Sequence, residues 1–185
     1  MTENTKPLSG ETARMDDADP ITGLRPLALP APVSGELWLT GLPNNDLRLR
    51  RHLFEAAEKG VTQFVILTED HEIRDLAPDY ARLLSSDGLN FSVMRLPIRD
   101  FGVPESVPAF RLATYRIADA LQSGERIVMH CRGGIGRTGL VAEAVLIELG
   151  VPPAEARGLV AAAGSRCETA EQVAFLRKAY ADVED

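Results

Sequence analysis

The run IVMHCRGGIGRTGLVAEAVLIELG, residues 127–150, constrains the fold more than any other stretch of the chain. It begins as an apolar, β-branched strand, passes through Gly133, Gly134 and Gly136, and continues as apolar residues at helical spacing. A strand that turns tightly into a helix is half of a strand–helix–strand unit, and such units build sheets with helices laid over them.

The preceding chain repeats this alternation. GELWLTGLP (35–43) reads as a short strand ending in a turn. The next segment places Leu47, Leu49, Leu53, Phe54 and Ala57 near helical spacing, with Asn45 as cap and Gly60 as stop. VTQFVILT (61–68) has the near-continuous apolar character of a strand buried on both faces. A helix over 78–85, a strand over 89–98 and a long helix stopped by Gly124 follow, the helix presenting Phe110, Leu112, Ile117, Ala118 and Leu121. After the strand ERIVMHC come a helix over 138–149 and two further helices joined by a polar loop at 165–168. The fold expected is therefore α/β, with a central, mostly parallel sheet of about four to five strands flanked by helices. Ligands of such sheets bind at the carboxyl ends of the strands, where Cys131 stands.

Residues 1–22 are polar and nearly free of large apolar groups, so a flexible N-terminal tail is expected there, a passive extension or a regulatory one. Residues 23–185 suit a single domain. A net charge of −7 gives no basic footprint for nucleic acid. No apolar run approaches the roughly 18 residues of a membrane span, and the acidic start lacks the layout of a secretory signal. Two cysteines without a CxxC pair make neither a disulfide framework nor a zinc site. A cytoplasmic protein is expected, monomeric, without membrane span, metal or cofactor.

The glycine turn admits two readings. Gly134, Gly136 and Gly139 satisfy GxGxxG, but the acidic residue of a dinucleotide fingerprint is missing and too little chain remains for that sheet. A Walker A loop fails because Arg137 stands where its lysine belongs. The second reading uses every residue. Glycines at 133, 134 and 136 let backbone N–H groups converge on a phosphate dianion, and the following helix directs its positive end at the same point. That field also favours a thiolate at Cys131. Arg137 supplies a planar fork for two phosphate oxygens.

The stretch HCRGGIGRTG, residues 130–139, thus carries the pattern HCx5R followed by Thr138, and it resembles the signature of the cysteine-dependent protein tyrosine and dual-specificity phosphatases. Among subgroups it is most similar to the cyclin-dependent kinase inhibitor 3-like dual-specificity phosphatases. The resemblance extends loosely over 32–180, including LWLTGLPN near Trp38 and TEDHEIRDL, which falls where the family has a loop beside the site. It implies that Cys131 is the nucleophile and that Arg132, Gly133, Gly134, Ile135, Gly136 and Arg137 bind the phosphate. Asp100, in the loop PIRDFGVPE, stands at the family's distance for the general acid; its alternative is to cap a helix starting near Val103. Asp70 and Asp75 are rival acids at an unsuitable spacing.

The resemblance also assigns supporting roles. His130 orients the loop, or is simply a buried structural histidine. Thr138 stabilises the departing thiolate, or only begins the helix. Gln172, in CETAEQVAFL, orients the hydrolytic water, or is an ordinary solvent-facing helix residue. Independently of the resemblance, Cys167 lies beside this segment and either pairs with Cys131 on oxidation or is a plain thiol. The expected activity is hydrolysis of phosphotyrosine in proteins, and of phosphoserine and phosphothreonine if the pocket is shallow, through a cysteinyl phosphate. The alternatives are a catalytically weak phosphoprotein-binding module, a phosphatase of inositol phosphates or lipids, and an arsenate reductase. The first leaves the acid and nucleophile without a task, the second would favour lysines inside the loop, and the third would want nearby resolving cysteines.

Overall fold

The computed structural model describes residues 23–86 and 89–183, so the tail expected over 1–22 lies outside the described residues. In chain order the strands are β1 (Arg25–Leu27), β2 (Glu36–Thr40), β3 (Gln63–Ile66), β4 (Ser92–Arg95) and β5 (Arg126–His130). The helices are α1 (Asp46–Glu58), α2 (Asp70–Leu76), α3 (Pro78–Leu84), α4 (Val107–Gln122), α5 (Gly136–Glu148), α6 (Pro153–Ala162) and α7 (Ala170–Ala179). They form one sheet of order β1-β2-β5-β3-β4, in which only β1 runs antiparallel to its neighbour. The α/β architecture with a mostly parallel sheet matches the expectation.

Period-two alternation divides the strands between two cores. Leu37, Leu39, Val65, Ile127 and Met129 face one core with α4, α5, α6 and α7 residues such as Ile117, Val145, Val160 and Leu176. Trp38, Phe64, Ile66 and Val128 face the other, with α1, α2 and α3 residues such as Leu49, Ile73 and Tyr80. β5 is central, paired on both sides, so the residue after it leaves the sheet at its best-shielded point.

Several local expectations are corrected. In α1 the buried side is Leu49, His52 and Ala56, while Leu47 and Phe54 are exposed. Apolar residues were spread around this helix, and packing against β-strand residues selected one stripe. β4 is shorter than 89–98, because Leu96 and Ile98 leave the strand ladder while still donating to Ile66 and Leu67 carbonyls. α2 forms where the sequence suggested a loop. α4 begins at Val107 under a Ser106 side-chain cap, so Asp100 does not cap it. Leu112 is exposed rather than part of that helix's buried side.

Candidate active site

The carboxyl ends of the four parallel strands lie along one edge of the sheet. Cys131 follows β5 and is 3% exposed. The turn after β2 braces the loop from behind: Leu42 N–H donates to the Arg132 carbonyl at 3.0 Å. Gly134 is left-handed, with φ +69°, and a Cβ there would lie 2.5 Å from the Thr40 carbonyl. Gly136 has the Glu168 carboxylate where a side chain would go, whereas a Cβ on Gly133 meets open space. The glycine spacing therefore serves close packing at 134 and 136. Gly134 N–H donates to Cys131 Sγ at 3.2 Å, which directs one backbone dipole at the sulfur.

Arg137 lies in the first turn of α5 and is 2% exposed. Its Nη1 donates to Glu72 Oε2 at 2.6 Å and to the Ile98 carbonyl at 2.9 Å. Its Nη2 donates to Glu72 Oε1 at 3.0 Å and to Asp100 Oδ1 at 2.9 Å. Burial alone would raise the Glu72 carboxyl, but Arg137 and the Glu69 N–H, which donates to it at 3.1 Å, hold it below the usual carboxylate range. Reciprocally, burial works against the Arg137 charge, and Glu72, Cys131 and Asp100 outweigh it. Asp100 thus reaches over the glycine loop from the chain after β4, its second oxygen 3.5 Å from Arg132 Nη1. Cys131, Arg132, Arg137 and Asp100 line a cleft of about 340 Å³ with Phe101, Glu168 and Gln172.

Residues 41–151 match the family described as "Polymorphic toxin system, DSP-PTPase phosphatase" (Tc-R-P). The chain belongs to this family. It is 36% identical over 115 residues to a protein named as a tyrosine phosphatase, 067L, of Invertebrate iridescent virus 3; the match covers 57% of this chain and 42% of the viral one. The chain therefore spans less than half the length of that relative. Its fold is similar to that of the kinase associated phosphatase, solved with its catalytic site cysteine replaced by serine: TM-score 0.69, 19% identity, 86% of this chain and 93% of that one. It is similar also to Tk-PTP in its active form, with TM-score 0.64, 27% identity and coverage of 82% and 95%.

Of the remaining candidates in this DSP-PTPase chain, Gln172 lines the cleft, and His130 and Thr138 adjoin its Cys131 and Arg137 along the chain. His130 is fully buried; its Nδ1 lies 3.2 Å from the Cys131 carbonyl and its Nε2 2.9 Å from the Tyr80 hydroxyl. A carbonyl only accepts, so Nδ1 carries the proton and Nε2 accepts from Tyr80. Burial pushes His130 down to about 3, and the ring is neutral. Burial likewise pushes the Tyr80 hydroxyl up, which keeps it a donor. His130 accordingly fixes the Cys131 backbone. Thr138 is buried, and its hydroxyl has no hydrogen-bond partner among the described residues. Gln172 is buried rather than solvent-facing: its Oε1 accepts from Glu168 N–H at 2.8 Å and its Nε2 donates to the Gly102 carbonyl at 3.1 Å. Both ends of the amide are engaged, and it ties the Asp100 loop to the start of α7.

Cys131 and Cys167 are both free. Burial, then the Glu143 carboxylate to which Cys167 hydrogen-bonds, push the Cys167 thiol up to about 12. Asp70 pairs with Arg95 at 2.5 Å. Among the described residues no group of three or more His, Cys, Asp or Glu side chains is disposed to hold a metal ion, and no helix is long and apolar enough to cross a membrane. Glu72 was not singled out from the sequence: the capping box it closes with the Glu69 N–H starts from a glutamate rather than the Ser, Thr, Asp or Asn that marks a helix start. Phe101, exposed at the rim with φ 57°, also escaped notice, and nothing in the sequence marked it beyond its place beside Asp100.

Proposed function

We propose that this chain is a cysteine-dependent phosphatase that hydrolyses phosphotyrosine in proteins through a cysteinyl phosphate. The observation that carries the reading is the convergence of the Cys131 sulfur, the Gly134 N–H, the buried Arg137 guanidinium and the Asp100 carboxyl on one cleft.

The Cys131 thiolate attacks phosphorus opposite the ester oxygen. As the S–P bond forms, the P–O bond breaks and Asp100 gives its proton to the leaving oxygen. The amides of the 132–137 loop and the Arg137 fork hold the three equatorial oxygens while charge redistributes among them. Glu72 holds one Nη2 hydrogen of Arg137, and the other, now on Asp100, can pass to a phosphate oxygen. Water then attacks phosphorus, Asp100 takes its proton, the S–P bond breaks, and the Thr138 hydroxyl donates to the departing sulfur. Gln172 supports this second step by holding the acid loop.

Protein phosphotyrosine is favoured because Phe101 offers an exposed aromatic face beside Asp100, against which an aryl ester can lie. The loop's only internal charge is Arg132, which suits one phosphate better than a polyphosphorylated inositol. Phosphoserine and phosphothreonine are secondary substrates in this reading. A thiolate nucleophile is best preserved in a reducing compartment, which supports a cytoplasmic location.

Hydrolysis of an aryl phosphate by the wild type, Cys131→Ser and Asp100→Ala, with EDTA present, tests the proposal. The serine variant is expected to be inactive and the alanine variant slow with poor leaving groups; full activity in Cys131→Ser would end this mechanism.

A further inference from the structure

Arg25 opens the edge strand β1, far in sequence from the cysteine loop, yet its guanidinium lies against the back of that loop. Nη2 donates to the Gly134 carbonyl at 2.5 Å and to Ser165 Oγ at 3.3 Å. Nη1 donates to the carbonyls of Ala163 and Gly164 at 3.0 and 2.6 Å. Ser165, itself 1% exposed, donates its hydroxyl to the same Gly134 carbonyl at 2.7 Å. One carbonyl of the phosphate loop therefore accepts two hydrogen bonds, both from outside the loop.

The consequence follows from peptide geometry. A trans peptide holds its C=O and N–H on opposite sides, so fixing the Gly134 carbonyl outward turns the Ile135 N–H inward, toward the cleft that Cys131 and Arg137 line. A cation on the carbonyl polarises that peptide and strengthens the N–H as a donor. Burial pushes the Arg25 guanidinium below its ordinary value, and the charge on Cys131 offsets part of that, so the two groups share one field.

We propose that Arg25, with Ser165, is a positioning residue for the reaction: it holds the Gly134–Ile135 peptide so that the loop presents its amide to the phosphate oxygens. Arg25 touches no substrate and acts through the backbone. The inference rests on the phosphatase reading above. It departs from the plain role of a staple between β1 and the loop after α6, which would affect stability alone.

The test is competitive inhibition of aryl phosphate hydrolysis by inorganic phosphate, with KM and kcat, in the wild type, Arg25→Met, Arg25→Lys and Ser165→Ala. Losing a charge-assisted hydrogen bond predicts that Arg25→Met raises the phosphate inhibition constant and KM about tenfold or more. Arg25→Lys, which keeps the charge but cannot reach all three carbonyls with a planar fork, recovers part of the loss. Ser165→Ala shifts both constants the same way by about threefold, as for a neutral hydrogen bond. Wild-type inhibition and KM in a folded Arg25→Met, with only a lower melting temperature, would overturn the proposal. If that variant does not fold, unchanged constants in both Arg25→Lys and Ser165→Ala overturn it. A wild type that does not hydrolyse the aryl phosphate would instead overturn the phosphatase reading.

Discussion

Glu72 and Arg137 form a two-pronged buried ion pair, with Nη1–Oε2 at 2.6 Å and Nη2–Oε1 at 3.0 Å. A guanidinium fixed by two parallel bonds cannot rotate, so the donors left for phosphate point in one direction before substrate arrives. Removing one member of such a pair strands the other charge away from water. Glu72→Ala is therefore expected to lose roughly 3–5 kcal/mol of stability, measured as a lower urea midpoint, and kcat/KM should fall with it. Glu72→Gln should do less damage to folding yet still misplace Arg137, since one end of its amide is a donor facing donors.

The neutral His130 makes stability depend on pH with a definite sign. The unfolded chain takes up a proton near 6.5, whereas the folded ring resists until about 3. Below 6.5 the unfolded state binds more protons, so this contribution to stability declines as pH falls, by at most about 1.4 kcal/mol per pH unit. Urea midpoints at pH 7 and 5.5 should separate in the wild type. In His130→Asn the separation should shrink; an undiminished gap would assign it to another group.

The loop glycines are unequal. Gly134→Ala forces a Cβ onto the Thr40 carbonyl at a left-handed backbone position, so thermal melts should show clear destabilisation. Gly133→Ala meets open space and should fold like the wild type.

Phe101 should discriminate among esters. If an aryl substrate lies against it, Phe101→Ala lowers kcat/KM for phosphotyrosine peptides about three- to tenfold, the range of one aromatic contact. Phosphothreonine peptides, which have no ring, should be unaffected; equal losses on both would mean that the residue only shapes the acid loop.

Gln172 joins Gly102 to Glu168 through both ends of its amide. Loosening that tie should disturb Asp100 in both of its proposed tasks, as acid and as base. Rapid mixing of Gln172→Ala with an aryl phosphate is expected to show a slower burst as well as slower turnover. A normal burst followed by slow turnover would confine the residue to the water step.

Much of this protein was determined by its sequence alone, because the relevant forces act between near neighbours. Strand, glycine turn and helix N-terminus are consecutive in 126–148, so the loop, the proposed nucleophile Cys131 and the proposed clamp Arg137 were legible from residue type and spacing. Strand–helix alternation gave the layered sheet for the same reason, and Asp100 was reachable through its place after a strand. What only the tertiary structure decided depends on strand order and register. The approach of Glu72 to Arg137 spans 65 positions and exists because β3 lies beside β5; α2 is too short and charged to announce itself by periodicity. Arg25 reaches Gly134 across 109 positions because β1 adds antiparallel to the edge of β2. The choice of His52 over Phe54 for the buried side of α1 was likewise made by the surface it met. Local chemistry wrote the cysteine loop, and long-range packing supplied the residues that brace it.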